Sequence, residues 1–194
     1  MSPASHSPFP DGPQPLVDEP TLYKLAEQLG TLLQQQGWQV TTAESCTGGW
    51  IAQAITAIPG CSTWFHQGLV TYANATKQRL LGVPAQFLEG PRAPGAVSEQ
   101  TVLAMSRGAL QSAGAQLAVA SSGLAGPGGD GEDKPVGTVW LGWAWQGGDS
   151  QAMDVVAKAR CYQLNGGREL VRRQTVALAL LGLIAVVNDD QSTG

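Results

Sequence analysis

The sequence predicts an α/β fold with a mixed, largely parallel sheet covered by helices on both faces. Three observations predict it. Strand-like segments largely alternate with segments of helical periodicity, the order that β-α-β units impose. Residues 117–121 form a near-continuous apolar run, as expected of a strand covered on both sides. Near the end, two strand-like segments flank Gly147-Gly148, a turn that makes a hairpin and therefore an antiparallel pair.

Taken in order, residues 1–20 are rich in Pro and Ser and read as a disordered tail that cannot build a core. Leu22, Leu25, Ala26, Leu29, Leu32 and Leu33 then recur at helical spacing, and Gly37 ends that helix. Residues 38–42 have the β-branched and aromatic make-up of a strand, and residues 50–58 read as an apolar helix stopped by Pro59-Gly60. Residues 68–72 read as a second strand and residues 74–81 as a short helix closed by Gly82. Residues 89–97 hold two prolines and two glycines and are a loop, after which Ser98 is the N-cap of a helix through residue 112. Past the buried strand, residues 123–134 form a glycine-rich loop. Residues 136–145 and 152–164 are the hairpin strands, and residues 168–187 are a helix with Leu170, Val171, Gln174, Leu178 and Leu181 on one face. The expected organisation is one domain over residues 21–187 with a flexible C-terminus, residues 188–194.

Composition narrows the class. At 194 residues, 43% hydrophobic and 13% charged, the chain can bury one sizeable core. A net charge of −4 without any basic run argues against nucleic-acid binding. Cys46, Cys61 and Cys161 are odd in number and form no C-x-x-C pair, which suits free thiols in a reducing compartment. No secretion signal is visible, and the apolar run of residues 175–187 is too short to span a bilayer. The expectation is a cytoplasmic protein without a membrane partner.

Three places can carry chemistry. The first is the strand-to-helix turn Thr42-Ala43-Glu44-Ser45-Cys46-Thr47-Gly48-Gly49, which gathers a carboxylate, two hydroxyls, a thiol and two glycines. Such a turn points the first N–H groups of a helix outward, and Gly48 and Gly49 let a ligand approach them. The second is Tyr72 at a strand end, with Lys77 on the helix that follows. The third is the loop Ser121-Ser122-Gly123-Leu124-Ala125-Gly126-Pro127-Gly128-Gly129. Ligands of open α/β sheets bind beyond the carboxyl ends of the strands, where all three lie.

Absences narrow the chemistry further. The glycine loop has neither the Lys-Ser/Thr of a P-loop nor GxGxxG spacing. No His, Cys, Asp or Glu cluster has metal-ligand spacing, so neither metal nor cofactor is expected. Only His66 is available to a Ser-His-Asp triad, because His6 lies in the tail. A lysine whose pKa is depressed by burial is therefore the most available base for a serine nucleophile. Two alternatives stay open on the residues alone: Cys46 as the nucleophile, and a nucleotide-binding or interaction module without turnover.

In chain order, residues 42–49, residues 68–72 with Lys77, Gly95-Ala96-Val97-Ser98-Glu99, residues 122–129 and Lys134-Pro135-Val136-Gly137-Thr138-Val139 resemble the CinA C-terminal-domain family. The late stretch Gly167-Arg168 with Val171-Arg172-Arg173-Gln174 is similar too, so the resemblance covers about residues 22–181. It implies a three-layer α/β/α sandwich, a homodimer, and deamidation of nicotinamide mononucleotide to nicotinate mononucleotide and ammonia in pyridine nucleotide salvage. It also implies that Ser45 is the catalytic serine, Lys77 its basic partner and Tyr72 the tyrosine close to them. Ser122 stands where relatives usually have Thr. Arg168 matches the arginine of a Gly-Asp-Arg motif in which Gly167 replaces the Asp, and the loop of residues 89–94 is a few residues longer. The expected substrate contacts are Glu44, Thr47, Gly48, Gly49, Ser122, Gly123, Gly126 and Arg168. The phosphate falls to Arg168 and the glycine loop, and the oxyanion to the N–H groups of residues 47–49.

Overall fold

The computed structural model describes residues 9–12, 17–128, 134–147 and 154–191. Helix α1 (Glu19–Gln36) begins where the Asp18 side chain accepts the Thr21 N–H and ends at Gly37, which takes a left-handed φ of 65°. Strand β1 (Val40–Glu44) follows, then α2 (Trp50–Thr56), a short 3-10 turn (Cys61–Thr63) and β2 (Phe65–Val70). Next come α3 (Asn74–Leu81), the single turn α4 (Ala85–Leu88) and α5 (Glu99–Ala113), capped by Ser98. The chain continues with β3 (Leu117–Gly123), β4 (Thr138–Gly147), β5 (Asp154–Gln163) and α6 (Arg168–Gln191).

Among the described residues the strands form one sheet in the order β2-β1-β3-β4-β5. β1 is parallel to both its neighbours, whereas β4 is antiparallel to β3 and to β5, so β4 alone runs against the rest. Two cores lie on opposite faces. One gathers α1, α2 and α6 around Leu29, Leu33, Ile51, Trp143 and Leu178; the other gathers α3 and α5 around Leu81, Met105, Ala109 and Ala118. The result is the expected α/β/α sandwich with a mixed, largely parallel sheet.

Boundaries moved where tertiary contacts outweigh local pattern. β1 starts later than expected because the Gln39 N–H is taken by the Gln116 side chain at 2.9 Å. β2 starts at Phe65, and Thr71 and Tyr72 leave the sheet to offer their carbonyls to Lys77. α4 went unread because one turn is too short for periodicity. α6 runs through Gln191 with Val186 and Val187 buried, so residues 188–191 continue a helix and are not a flexible end. Leu170, expected on its inner face, is 45% exposed. α6 is long and apolar enough to cross a membrane, yet most of it is buried in the domain.

The tail needs a larger correction. Phe9 is buried and stacks on Trp143 with ring centroids 4.4 Å apart. Arg160 donates to the Phe9 carbonyl at 2.7 Å and pairs with Asp11 at 2.7 Å, while the Tyr162 hydroxyl donates to the Pro10 carbonyl at 3.0 Å. Residues 9–12 are therefore docked on β4 and β5. The remaining parts of the expected tail, residues 1–8 and 13–16, lie outside the described residues. So do 129–133 of the glycine loop, 148–153 of the hairpin turn and strand start, and 192–194.

Candidate active site

Three parallel strands deliver the site. β1 and β3 end side by side, where the Ser45 N–H donates to the Ser121 carbonyl at 3.0 Å. β2 ends on the other flank of β1 and hands the chain to α3, which carries Lys77. α3 is a polar helix whose Lys77 is nonetheless 1% exposed. Its Nζ donates to Ser45 Oγ at 3.1 Å, to the Thr71 carbonyl at 2.8 Å and to the Tyr72 carbonyl at 3.0 Å.

That arrangement reads differently in the two protonation states. An ammonium has three N–H donors, one for each of these acceptors. A neutral amine has two, which the carbonyls take, leaving its lone pair for the Ser45 hydroxyl. Burial strips water from the ammonium and moves the Lys77 pKa below its ordinary 10.5. The geometry accommodates either state and in both keeps Nζ against Ser45 Oγ. Cys46, next in the chain, is buried, and that burial pushes its thiol up to about 12.

The turn itself is built from the inside. Glu44 is 1% exposed and turns its carboxylate to α2, accepting from the N–H groups of Gly49 at 2.9 Å, Ile51 at 3.0 Å and Ala52 at 2.8 Å. Its place is that of a helix cap, not of a group facing the cleft. Gly48 and Gly49 adopt φ values of 62° and 94°, a left-handed pair that side chains rarely tolerate. The Gly48 N–H closes back on the Ser45 carbonyl at 3.0 Å. Of the N–H groups expected to hold an oxyanion, those of Gly48 and Gly49 are therefore engaged. Those of Thr47 and of Cys46 donate to no other described residue.

The remaining expected residues divide. The Thr47 hydroxyl is buried 2.7 Å from Ser121 Oγ. Ser122 is buried and donates to the Ala96 carbonyl at 2.7 Å, while Gly123 is a strand residue paired with Val139. Tyr72 is 58% exposed, and its hydroxyl meets Arg168 rather than Lys77. Arg168 donates to that hydroxyl at 3.1 Å and to the Gly126 carbonyl at 2.8 Å, tying the glycine loop to the mouth of the site. Arg172, which no sequence motif marks as a site residue, also reaches the turn. It bonds the Cys46 carbonyl through Nε at 3.1 Å and the Thr47 carbonyl through Nη2 at 2.7 Å, and it lies over the Trp50 ring. A second arginine one helical turn after Arg168 was the available signal. Among the described residues no group of three or more His, Cys, Asp or Glu is placed to hold a metal.

A parallel-stranded α/β domain with a serine and a buried lysine at the strand ends defines a class, and the comparisons give its family. The CinA C-terminal domain matches residues 22–187, and the chain belongs to that family. It is 55% identical over 160 residues to a Pseudomonas putida protein named nicotinamide-nucleotide amidohydrolase PncC, covering 82% of this chain and 93% of that one. A protein of the same name from Enterobacter agglomerans is 49% identical over 164 residues, covering 84% and 94%. Among solved structures, the competence damage-inducible protein A from Klebsiella pneumoniae superposes with a TM-score of 0.76 at 36% identity, covering 84% of this chain and 94% of that one.

Proposed function

We propose that this protein is a nicotinamide-nucleotide amidohydrolase that deamidates nicotinamide mononucleotide by Ser-Lys acyl transfer. The observation that carries the mechanism is the Lys77 amine 3.1 Å from Ser45 Oγ, anchored by two carbonyls. The names of its relatives support the substrate.

Ser45 Oγ attacks the carboxamide carbon while Lys77 takes its proton. Collapse of the tetrahedral intermediate breaks the C–N bond, and Lys77 returns the proton to the departing nitrogen, releasing ammonia. Water then gives a proton to Lys77 and attacks the acyl-serine ester; the ester C–O bond breaks, Lys77 passes that proton to the departing Ser45 Oγ, and nicotinate mononucleotide leaves with Ser45 and neutral Lys77 restored. No electron transfer occurs, and the scheme calls on no metal or cofactor.

Arg168, exposed beside Tyr72 and Gly126, is suited to the substrate phosphate. It has five N–H donors and uses two here, so donors remain. The product fits pyridine nucleotide salvage in the cytoplasm. Val70, Tyr72 and Leu170 leave apolar surface near the site, which is consistent with a homodimer that sedimentation would detect.

Incubation with nicotinamide mononucleotide should release ammonia and nicotinate mononucleotide in equal amounts. Binding without ammonia release would make the protein a nucleotide-binding module instead.

A further inference from the structure

We propose that Arg172 is a positioning residue that aims the Cys46 and Thr47 N–H groups as oxyanion donors. This rests on the acyl-transfer reading of Ser45 and Lys77. In a trans peptide the C=O and N–H lie in one plane and point opposite ways. The only cis bond among the described residues is Gly126-Pro127, so the peptides of the turn are trans.

Three successive carbonyls of that turn are held. Ser45 O accepts from the Gly48 N–H at 3.0 Å, Cys46 O from Arg172 Nε at 3.1 Å, and Thr47 O from Arg172 Nη2 at 2.7 Å. The peptide joining Cys46 to Thr47 is fixed by Arg172 directly, so the Thr47 N–H points away from the guanidinium. The peptide joining Ser45 to Cys46 is fixed through Gly48, whose own peptide with Thr47 is the second one Arg172 grips. Neither the Cys46 nor the Thr47 N–H donates to another described residue. The N–H after a nucleophile is the usual first oxyanion donor of hydrolases built on such turns.

Other donors are spent. Glu44 takes the N–H groups of Gly49, Ile51 and Ala52, so the start of α2 is not on offer. A fixed guanidinium also polarises the peptide whose carbonyl it holds, making the N–H on the far side a stronger donor. Arg172 is itself held, with its guanidinium 5.2 Å from the Trp50 ring centre. A Cβ on Gly48 would come within 3.3 Å of Arg172 Nη2, so glycine there keeps the approach open. The planar fork holds the two carbonyls from two different nitrogens, Nε and Nη2, fixing both peptide planes in a way the single nitrogen of a lysine does not reproduce.

The test compares wild type, Arg172→Lys and Arg172→Gln on nicotinamide mononucleotide and on its thioamide analogue, with melting curves alongside. Arg172→Gln should lose about 10²-fold in kcat, the scale of one oxyanion donor, with KM little changed. Arg172→Lys should fall between it and wild type. On the thioamide the loss should shrink, because sulfur accepts hydrogen bonds poorly and gains less from well-aimed donors. An unchanged kcat, a rise in KM alone, or an equal loss on amide and thioamide would each overturn the proposal. If Arg172→Gln does not fold, Arg172→Lys carries the same comparison. A wild type that releases no ammonia overturns the amidase reading and this proposal together; an active wild type beside an unimpaired Arg172→Gln overturns this proposal alone.

Discussion

Ser45 and Lys77 stand 32 positions apart in the chain and 3.1 Å apart in space, and the lysine reaches the serine from a helix that is polar on its own evidence. The pair exists because β1 and β2 are parallel neighbours that release their chains at the same end of the sheet.

The neighbouring nucleophiles can be separated by substitution. Ser45→Ala should abolish ammonia release, and Lys77→Met should match it, since members of one catalytic unit are not additive. Cys46→Ala should keep most of the rate, because its buried thiol, pushed up to about 12, stays protonated at working pH. An active Ser45→Ala enzyme that a thiol alkylator inactivates would install Cys46 instead.

Lys77 should leave two marks on pH dependence. The rate should rise with pH through its lowered pKa, because the base must be neutral to act. Stability follows the same group. Between the lowered folded pKa and the ordinary 10.5, the unfolded chain binds the proton and the folded chain does not, so stability rises with pH across that window. The cost of burying the charge is present in full below the folded pKa and gone above 10.5. Cys46, Cys161 and Tyr162, whose pKa values are raised by burial, act in the opposite direction. The readout is therefore the difference between wild-type and Lys77→Met melting curves; a difference that is flat with pH would remove Lys77 as its source.

Arg168→Ala should raise KM for the mononucleotide by roughly 10- to 100-fold, the loss of one charge-assisted contact, while barely moving KM for the riboside. Equal effects on both substrates would assign Arg168 to bracing Tyr72 against the Gly126 loop.

Gly108 on α5 is where that helix meets the end of α3. A Cβ there would fall 2.0 Å from the Leu81 carbonyl oxygen, so Gly108→Ala must push α3 away. The expected cost is about 1–3 kcal/mol by denaturant unfolding, with a kcat loss as Lys77 is displaced. An unchanged kcat would show that the lysine is positioned without the α3–α5 contact.

Much of this was legible in the sequence, and what was not has physical causes. Asn74–Leu81 with its Gly82 stop, and Ser98 as a cap, follow local rules that tertiary structure did not override. The end of β1 was hidden because all five of its residues are buried, Thr41, Thr42 and Glu44 among them, so no alternation marks it. Elimination pointed to a lysine as the base and the family resemblance to Lys77, but its burial comes from the neighbouring strand ends, not from its own helix. The direction of the Glu44 carboxylate had no sequence signal either, since a glutamate before a helix can face the cleft or the helix. One phenylalanine among prolines and serines was outweighed by its surroundings, and so the docked segment at Phe9 was missed.

That segment bears on how the chain assembles. Phe9, Pro10 and Asp11 meet partners about 150 residues downstream. During synthesis they emerge well before these partners, and they have nothing to hold until Arg160 and Tyr162 have been made and paired with β4. Local helices and the parallel strands can form well before that. Seating Phe9 on Trp143 is therefore a contact of long sequence separation, expected to close only after the hairpin strands have paired.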